Sequence, residues 1–220
     1  MRYFNNPEAM LKLIGSMQDG FAATLTIFFA TLIFSIPLGM VVALLRMSKR
    51  RVISVPVSLY ILIMRGTPLM LQLFAIYFAL PMFFGLNLDR MTATILAFAL
   101  NYAAYFAEIF RGGMMSIPVG QHEACQVLGM TKVQAFWHIV LPQVVKRVLL
   151  PVCNEVITLI KDTALASTVA VVDLMTVAKK QVSSSSSIEP YLVAIIMYLI
   201  LNGVAEQLCK LAEKKMDYYR

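Results

Sequence analysis

Apolar residues in this chain gather into long runs separated by short polar or basic intervals, with little of the alternation expected of half-buried strands. The first 19 residues are different. Phe4, Met10, Leu11, Leu13, Ile14 and Met17 interleave with Glu8, Lys12 and Gln18 behind Pro7, a spacing that predicts a short amphipathic helix at a membrane surface. Residues 20–45 follow as the first run long enough for a hydrocarbon core about 30 Å thick. Pro37 and Gly39 should kink it. No small-residue cleavage site follows, so it reads as a retained span rather than a removed signal.

The next apolar run, 52–84, is interrupted only by Arg65-Gly66-Thr67-Pro68. As one helix it would measure about 50 Å, too long for an untilted crossing, so the span 55–84 is expected to be tilted or broken near that tetrapeptide. A third span, 92–113, carries Ala99, Ala103, Ala104 and Ala107 as a face for close helix packing. Residues 119–140 are more polar and predict a pair of short helices outside the bilayer. Glu123 falls in the first turn of the first helix, Gly129 ends it in the left-handed conformation, and Thr131 caps a second helix bearing Val133, Phe136, Trp137 and Val140. Spans at 141–161, entered through Pro142, and 191–211 complete a single all-α membrane domain over residues 1–220, with five transmembrane helices. Between them, 162–189 is an extramembrane or re-entrant segment whose run Ser183–Ser187 reads as a solvated loop.

Composition agrees with a membrane protein. Apolar residues make up 60% of the chain and charged residues 14%, with a mean hydropathy of +0.76, whereas a soluble domain carries about 25% charged residues. The net charge of +7 does not point to nucleic acid, because the basic residues sit in short loops beside apolar runs. One set of loops holds twelve: Arg46, Lys49, Arg50, Arg51, Arg111, Lys132, Lys146, Arg147, Lys210, Lys214, Lys215 and Arg220. The opposite set holds six: Arg2, Lys12, Arg90, Lys161, Lys179 and Lys180. The positive-inside rule then places the N-terminus outside and the C-terminus and residues 119–140 in the cytoplasm. The three cysteines, Cys125, Cys153 and Cys209, are far apart and imply no disulfide framework. His122 and Cys125 lack a second pair of ligands, so no metal site is expected.

Charged residues inside spans are expensive and are candidates for function. They are Arg65, Glu108, Glu155 and Asp162, with Glu206 near the end of the last span. Glu155 and Asp162 are seven apart, hence on one helix face, with Asn154, Thr158 and Thr163 as polar neighbours. Counted from Leu141, Glu155 lies about 20 Å and Asp162 about 30 Å along the helix, in the outer half of a pathway. This pair is expected to receive the ammonium or cationic side chain of a solute. The rival reading is structural pairing of Glu155 with Arg65 or Asp162 with Lys161. Arg65 reaches Glu108 only if the second span starts late, and Glu108 with Arg111 reads as structural.

Several of these stretches form a pattern. Glu123-Ala124-Cys125, then Gly129, then Ile139-Val140-Leu141-Pro142 resembles the EAA loop of ABC importer permeases, with Cys125 where a second alanine is common. Arg65-Gly66-Thr67-Pro68, the run NYAAYFAEIFRGG from Asn101, Gly120-Gln121 and Lys161-Asp162-Thr163 resemble the polar amino acid subfamily, and the likeness covers nearly the whole chain. It implies the type I importer permease fold. It also implies an ATP-binding ABC subunit dimer docked on Gly120, Glu123, Ala124, Cys125, Leu128 and Gly129, a second permease subunit, an extracytoplasmic solute-binding protein and an amino acid as solute. It places the chain in a bacterial inner membrane. The sequence lacks a G-x-x-x-x-G-K-[ST] loop, so ATP with magnesium is expected on the partner and no cofactor or metal in this chain. An ion-gradient-driven transporter or channel is the alternative; it would need neither docking helix nor ATPase. A membrane enzyme is disfavoured: no nucleophile or acid surrounds the two histidines, His122 and His138, so no catalytic residue is expected.

Overall fold

The computed structural model describes residues 3–4 and 6–216, so Arg2, Arg220 and the end of the basic tail lie outside the described residues. All regular structure among them is helical: α1 (Pro7–Arg46), α2 (Arg51–Gly66), α3 (Leu69–Phe74), α4 (Leu80–Phe84), α5 (Arg90–Met115), α6 (Val119–Val127), α7 (Lys132–Ala135), α8 (Leu141–Asp162), α9 (Leu174–Ser185) and α10 (Glu189–Lys215). π-helical turns at Ala75–Ala79 and Phe136–Val140 join α3 to α4 and α7 to α8, and a 3₁₀ segment at Thr163–Val169 follows α8. Three helices, α1, α5 and α10, are long and apolar enough to cross a membrane, and the bent stretch α2–α4 makes a fourth if counted as one span.

The N-terminal leader is not a separate surface helix. Asn6 accepts hydrogen bonds from the N–H groups of Glu8 and Ala9, Pro7 fills the first position, and the helix runs 40 residues without a break. At 1.5 Å per residue that is about 60 Å, twice the hydrocarbon thickness. The surplus is packed: Leu13 and Met17 bury against Leu174, Val177 and Ala178 of α9 and Val193 and Ala194 of α10. Helical periodicity was legible here, but the third and fourth partners of its apolar face lie more than 150 residues away.

Further along, α1 lies against α5, and the small residues make the contact. Ala99, Ala103, Ala104 and Ala107 are all buried. A Cβ at Gly39 would stand 2.7 Å from Phe106 Cβ and 3.0 Å from the Ala103 carbonyl oxygen. Gly39→Val is therefore expected to destabilise the fold by about 1–3 kcal/mol, read as a lower thermal unfolding midpoint in detergent; an unchanged midpoint would count against this packing.

The second apolar run does break at RGTP, with 111° between its two halves. Pro68 has no N–H to offer the Met64 carbonyl four residues back. That carbonyl instead accepts from Gln72 Nε2 at 3.0 Å and Asn101 Nδ2 at 2.9 Å, and Asn101 also donates to Gln72 Oε1. Two buried amides thus make a sharp bend tolerable at membrane depth.

Two further expectations need correction. Cys153 on α8 and Cys209 on α10 form a disulfide with Cα atoms 5.9 Å apart, because packing of these helices joins residues 56 apart in sequence. The serine run is structured: Ser183–Ser185 close α9, Ser186 takes φ 51°, and Ser187 donates to Glu189 Oε2 at 2.9 Å. Glu189 is buried and also accepts the N–H of Tyr3 at 2.8 Å, tying the start of the chain to the start of α10.

Candidate functional site

Two neighbouring regions hold the candidate residues. The first is the α5–α8 elbow region. Helix α6 begins at Val119 behind Pro118, so Glu123 falls in its second turn rather than its first and gains less from the dipole. Gly129 adopts φ +69° and donates to the Gln126 carbonyl, while Met130 N–H reaches the Cys125 carbonyl: the Schellman arrangement that closes a helix. Thr131 and Gln134 then form a reciprocal capping box for α7. The second short helix is not a separate element, because α7 passes through the π-helical turn Phe136–Val140 directly into α8. The wide turn precedes Pro142, whose ring and missing N–H would disturb a regular ladder there.

Only Cys125 of α6 is buried, at 3% exposure, which explains why a small residue is needed at that position. The opposite face is bare. Val119, Val127 and Leu128 are 70%, 88% and 77% exposed, and Gly120, Glu123, Ala124 and Gly129 are exposed beside them. Exposed apolar stripes of this kind are found at partner-binding surfaces.

The second region lies between α2, α5 and α8. Arg65, Tyr105, Glu108, Gly112, Gly113, Ser116, Arg147, Pro151 and Glu155 line a cavity of about 570 Å³. Glu108 is held by Arg111 in a two-pronged pair, 2.6 Å and 3.0 Å, which agrees with a structural role. Arg65 comes within 4.0 Å of Glu108 and stands 5.2 Å from the centre of the Tyr105 ring. The level of Arg65 stayed open along a straight span; packing of α2 against α5 sets it at the level of Glu108. Glu155 has no hydrogen-bond or ion-pair partner among the described residues, although it shares the cavity with Arg65.

Glu155 and Asp162 do share a helix face, but they serve different surroundings. Asp162 Oδ2 accepts a 2.7 Å hydrogen bond from the Tyr102 hydroxyl, not a pairing with Lys161. It stands about 10 Å further along α8, outside the cavity lining. Thr158 lies between them, half-buried; Asn154 is exposed; Thr163 is buried with its hydroxyl spent on the Ile160 carbonyl at 2.7 Å. The depth expected for Glu155 also changes. Arg147, eight residues earlier, already reaches the Ser116 carbonyl at the end of α5, so Glu155 is only about 12 Å beyond that level. It sits in the part of the bundle nearest α6, because the first turns of α8 project past α5. Tyr102, Tyr105 and Arg147 were missed as site residues. Their signal was present as the three-residue spacing of 102, 105 and 108 on α5 and the four-residue spacing of 147, 151 and 155 on α8.

Comparison with known proteins accords with this geometry. Residues 35–218 match the family described as binding-protein-dependent transport system inner membrane component. An octopine transport system permease protein of Rhizobium radiobacter is 39% identical over 82% of this chain and 79% of its own. An arginine transport system permease protein of Bacillus subtilis is 33% identical over 95% of this chain and 96% of its own. A crystal structure of an amino acid ABC transporter superposes with a TM-score of 0.87 at 34% identity, covering 96% of this chain and 98% of that one. These relatives are permease proteins of transport systems, which supports the permease reading over both the ion-gradient alternative and an enzymatic role. The chain therefore belongs to the binding-protein-dependent transport system inner membrane components, among the amino acid ABC permeases, as a multi-pass permease subunit and not an enzyme.

Proposed function

We propose that this permease conducts an amino acid through the α2–α5–α8 cavity, with Glu155 receiving the ammonium or a cationic side chain and Arg65 offering a counter-charge to the carboxylate. The observation that carries this reading is a carboxylate with no hydrogen bond or salt bridge among the described residues, in a cavity that also holds the half-exposed guanidinium of Arg65. Charges at membrane depth are kept only where they do something, and Glu108, by contrast, is already neutralised by Arg111. Thr158 and Asp162 continue the polar face beyond Glu155; Asn154 and Thr163 have less to offer because one faces away and the other is occupied. A solute with a second positive charge suits two acidic stations better than a neutral one.

In this reading the exposed stripe of α6, with Gly120, Glu123, Ala124, Leu128 and Gly129 held in place by the buried Cys125, seats in one subunit of an ATPase dimer that binds ATP and magnesium. A second permease subunit closes the open side of the cavity, and an extracytoplasmic binding protein delivers the solute at the other end. Five spans in a bacterial inner membrane, with α8 as the fourth, then put the N-terminus outside and α6 and the C-terminus in the cytoplasm, as the twelve-to-six charge imbalance favours. The apolar residues left exposed on α10, such as Ile195, Leu199 and Ile200, meet lipid.

The test is reconstitution in vesicles with the ATPase and binding protein, measuring ATP hydrolysis and labelled uptake for each amino acid. Cationic amino acids are expected to stimulate hydrolysis most. Stimulation by no amino acid would reject the reading, and stimulation by acidic ones alone would reject the role of Glu155.

A further inference from the structure

One side chain belongs to two cavities. Arg147 lines the space that contains Glu155, and it also lines a second space of about 680 Å³ with Gln121, His138, Ile139, Gln143, Lys146 and Leu150, on the α6 side. Its guanidinium Nη1 donates to the carbonyl of Ser116. Ser116 caps the end of α5, and two residues later Pro118 starts α6. The arginine thus fastens α8 to the elbow from which α6 hangs.

The helix is weak at the same place. Arg147, Pro151 and Glu155 are each four residues apart and all line the first cavity. Pro151 has no N–H for the Arg147 carbonyl, so the turn between arginine and carboxylate lacks one rung of its ladder, and bending there costs less than elsewhere in α8. Beside that turn α5 and α8 touch tightly: a Cβ on Gly113 would stand 2.2 Å from Val148 Cγ1. A close contact at Val148, a soft turn at 147–151 and a removable hydrogen bond at Arg147 make a lever, its fulcrum and its latch.

We propose that the Arg147–Ser116 hydrogen bond is the closed latch between the Glu155 cavity and the α6-side cavity, released when α6 moves the elbow, with α8 bending at Pro151. Arg147 is a positioning residue here; it does not hold solute. The idea rests on the solute reading of the Glu155 cavity and adds how that cavity is shut.

The test uses vesicles carrying the chain with its ATPase and binding protein. Arg147→Met, which has no side-chain N–H to donate, should assemble, raise ATP hydrolysis in the absence of amino acid roughly tenfold, within the range of site-to-site coupling, and let preloaded labelled amino acid leak out without ATP, while KM for uptake stays unchanged. Arg147→Lys, which can still donate to a carbonyl, should restore tightness. Pro151→Ala should lower the maximal uptake rate without leak and without a change in KM. Tight vesicles and ordinary basal hydrolysis with Arg147→Met, beside normal wild-type uptake, overturn the latch alone. If Arg147→Met fails to assemble, Pro151→Ala decides, and an unchanged maximal rate there overturns the proposal. Absence of wild-type uptake sinks the solute reading and the latch with it.

Discussion

Replacing Glu155 by Gln is expected to cut amino acid uptake by roughly thirtyfold, the equivalent of the about 2 kcal/mol carried by a hydrogen bond to a charged group. Glutamine keeps the size and the hydrogen-bonding oxygen of glutamate, so the packing of α8 changes little. What is lost is the negative charge, and no neighbour replaces it: Glu108 is neutralised by Arg111, and Asp162 is outside the cavity lining with one oxygen given to Tyr102. Arg65 also becomes the dominant charge in the cavity, which repels a cationic solute. Association with the ATPase and basal hydrolysis should stay as in the wild type, since Glu155 is two turns from Arg147 and further from α6. Two measurements settle it together: pull-down of the ATPase and labelled uptake. Full uptake by Glu155→Gln would dismiss the site, and loss of assembly would mean that the carboxylate is structural.

Gly129→Val should abolish coupled transport. Glycine is required by the backbone here, because φ is +69° and a β-branched residue in that region costs about 1–3 kcal/mol. No atom lies within 4 Å of a Cβ built at Gly129, so crowding is not the reason. The Schellman bonds from Gly129 and Met130 back to Gln126 and Cys125 would open, freeing the end of α6 and tilting the stripe of Val127 and Leu128. Cys125, the one buried anchor of the helix, would loosen as well. The expected readout is either ATPase no longer retained by the permease or hydrolysis that amino acid no longer stimulates. Gly129→Asn supplies the control, since asparagine tolerates the left-handed region and should keep most activity. Coupled transport by Gly129→Val at the wild-type rate would remove α6 from the docking role.

Much of this was readable from residue types because it depends on near neighbours. The glycine end of α6 and the Thr131–Gln134 cap are contacts within three to five residues, and the alanine seam of α5 shows as a spacing. The break at Pro68 follows from one missing N–H. What could not be read were pairings whose two halves are distant in the chain. Gln72 with Asn101, Tyr102 with Asp162, Cys153 with Cys209 and Arg147 with Ser116 each need two helices set side by side. Counting along a straight helix left the level of Arg65 open, since residue numbers do not show how α2 packs on α5, and it set Glu155 far out because the count took Leu141 as the edge of the bundle.

On its own, then, the order of residues determined that the chain is helical and membrane-embedded, that its second apolar run breaks at Pro68, and that a short exposed helix lies between α5 and α8. These properties follow from hydrophobic run length and from hydrogen bonds within a turn or two. The tertiary structure alone decided which charges meet. Glu108 is satisfied by its own helix and Asp162 by a tyrosine sixty residues earlier, while Glu155 has no hydrogen bond or salt bridge among the described residues. Whether a buried carboxylate is structural or waiting for a solute depends on the donors within about 3 Å of it, and only the packing of separate helices sets that distance.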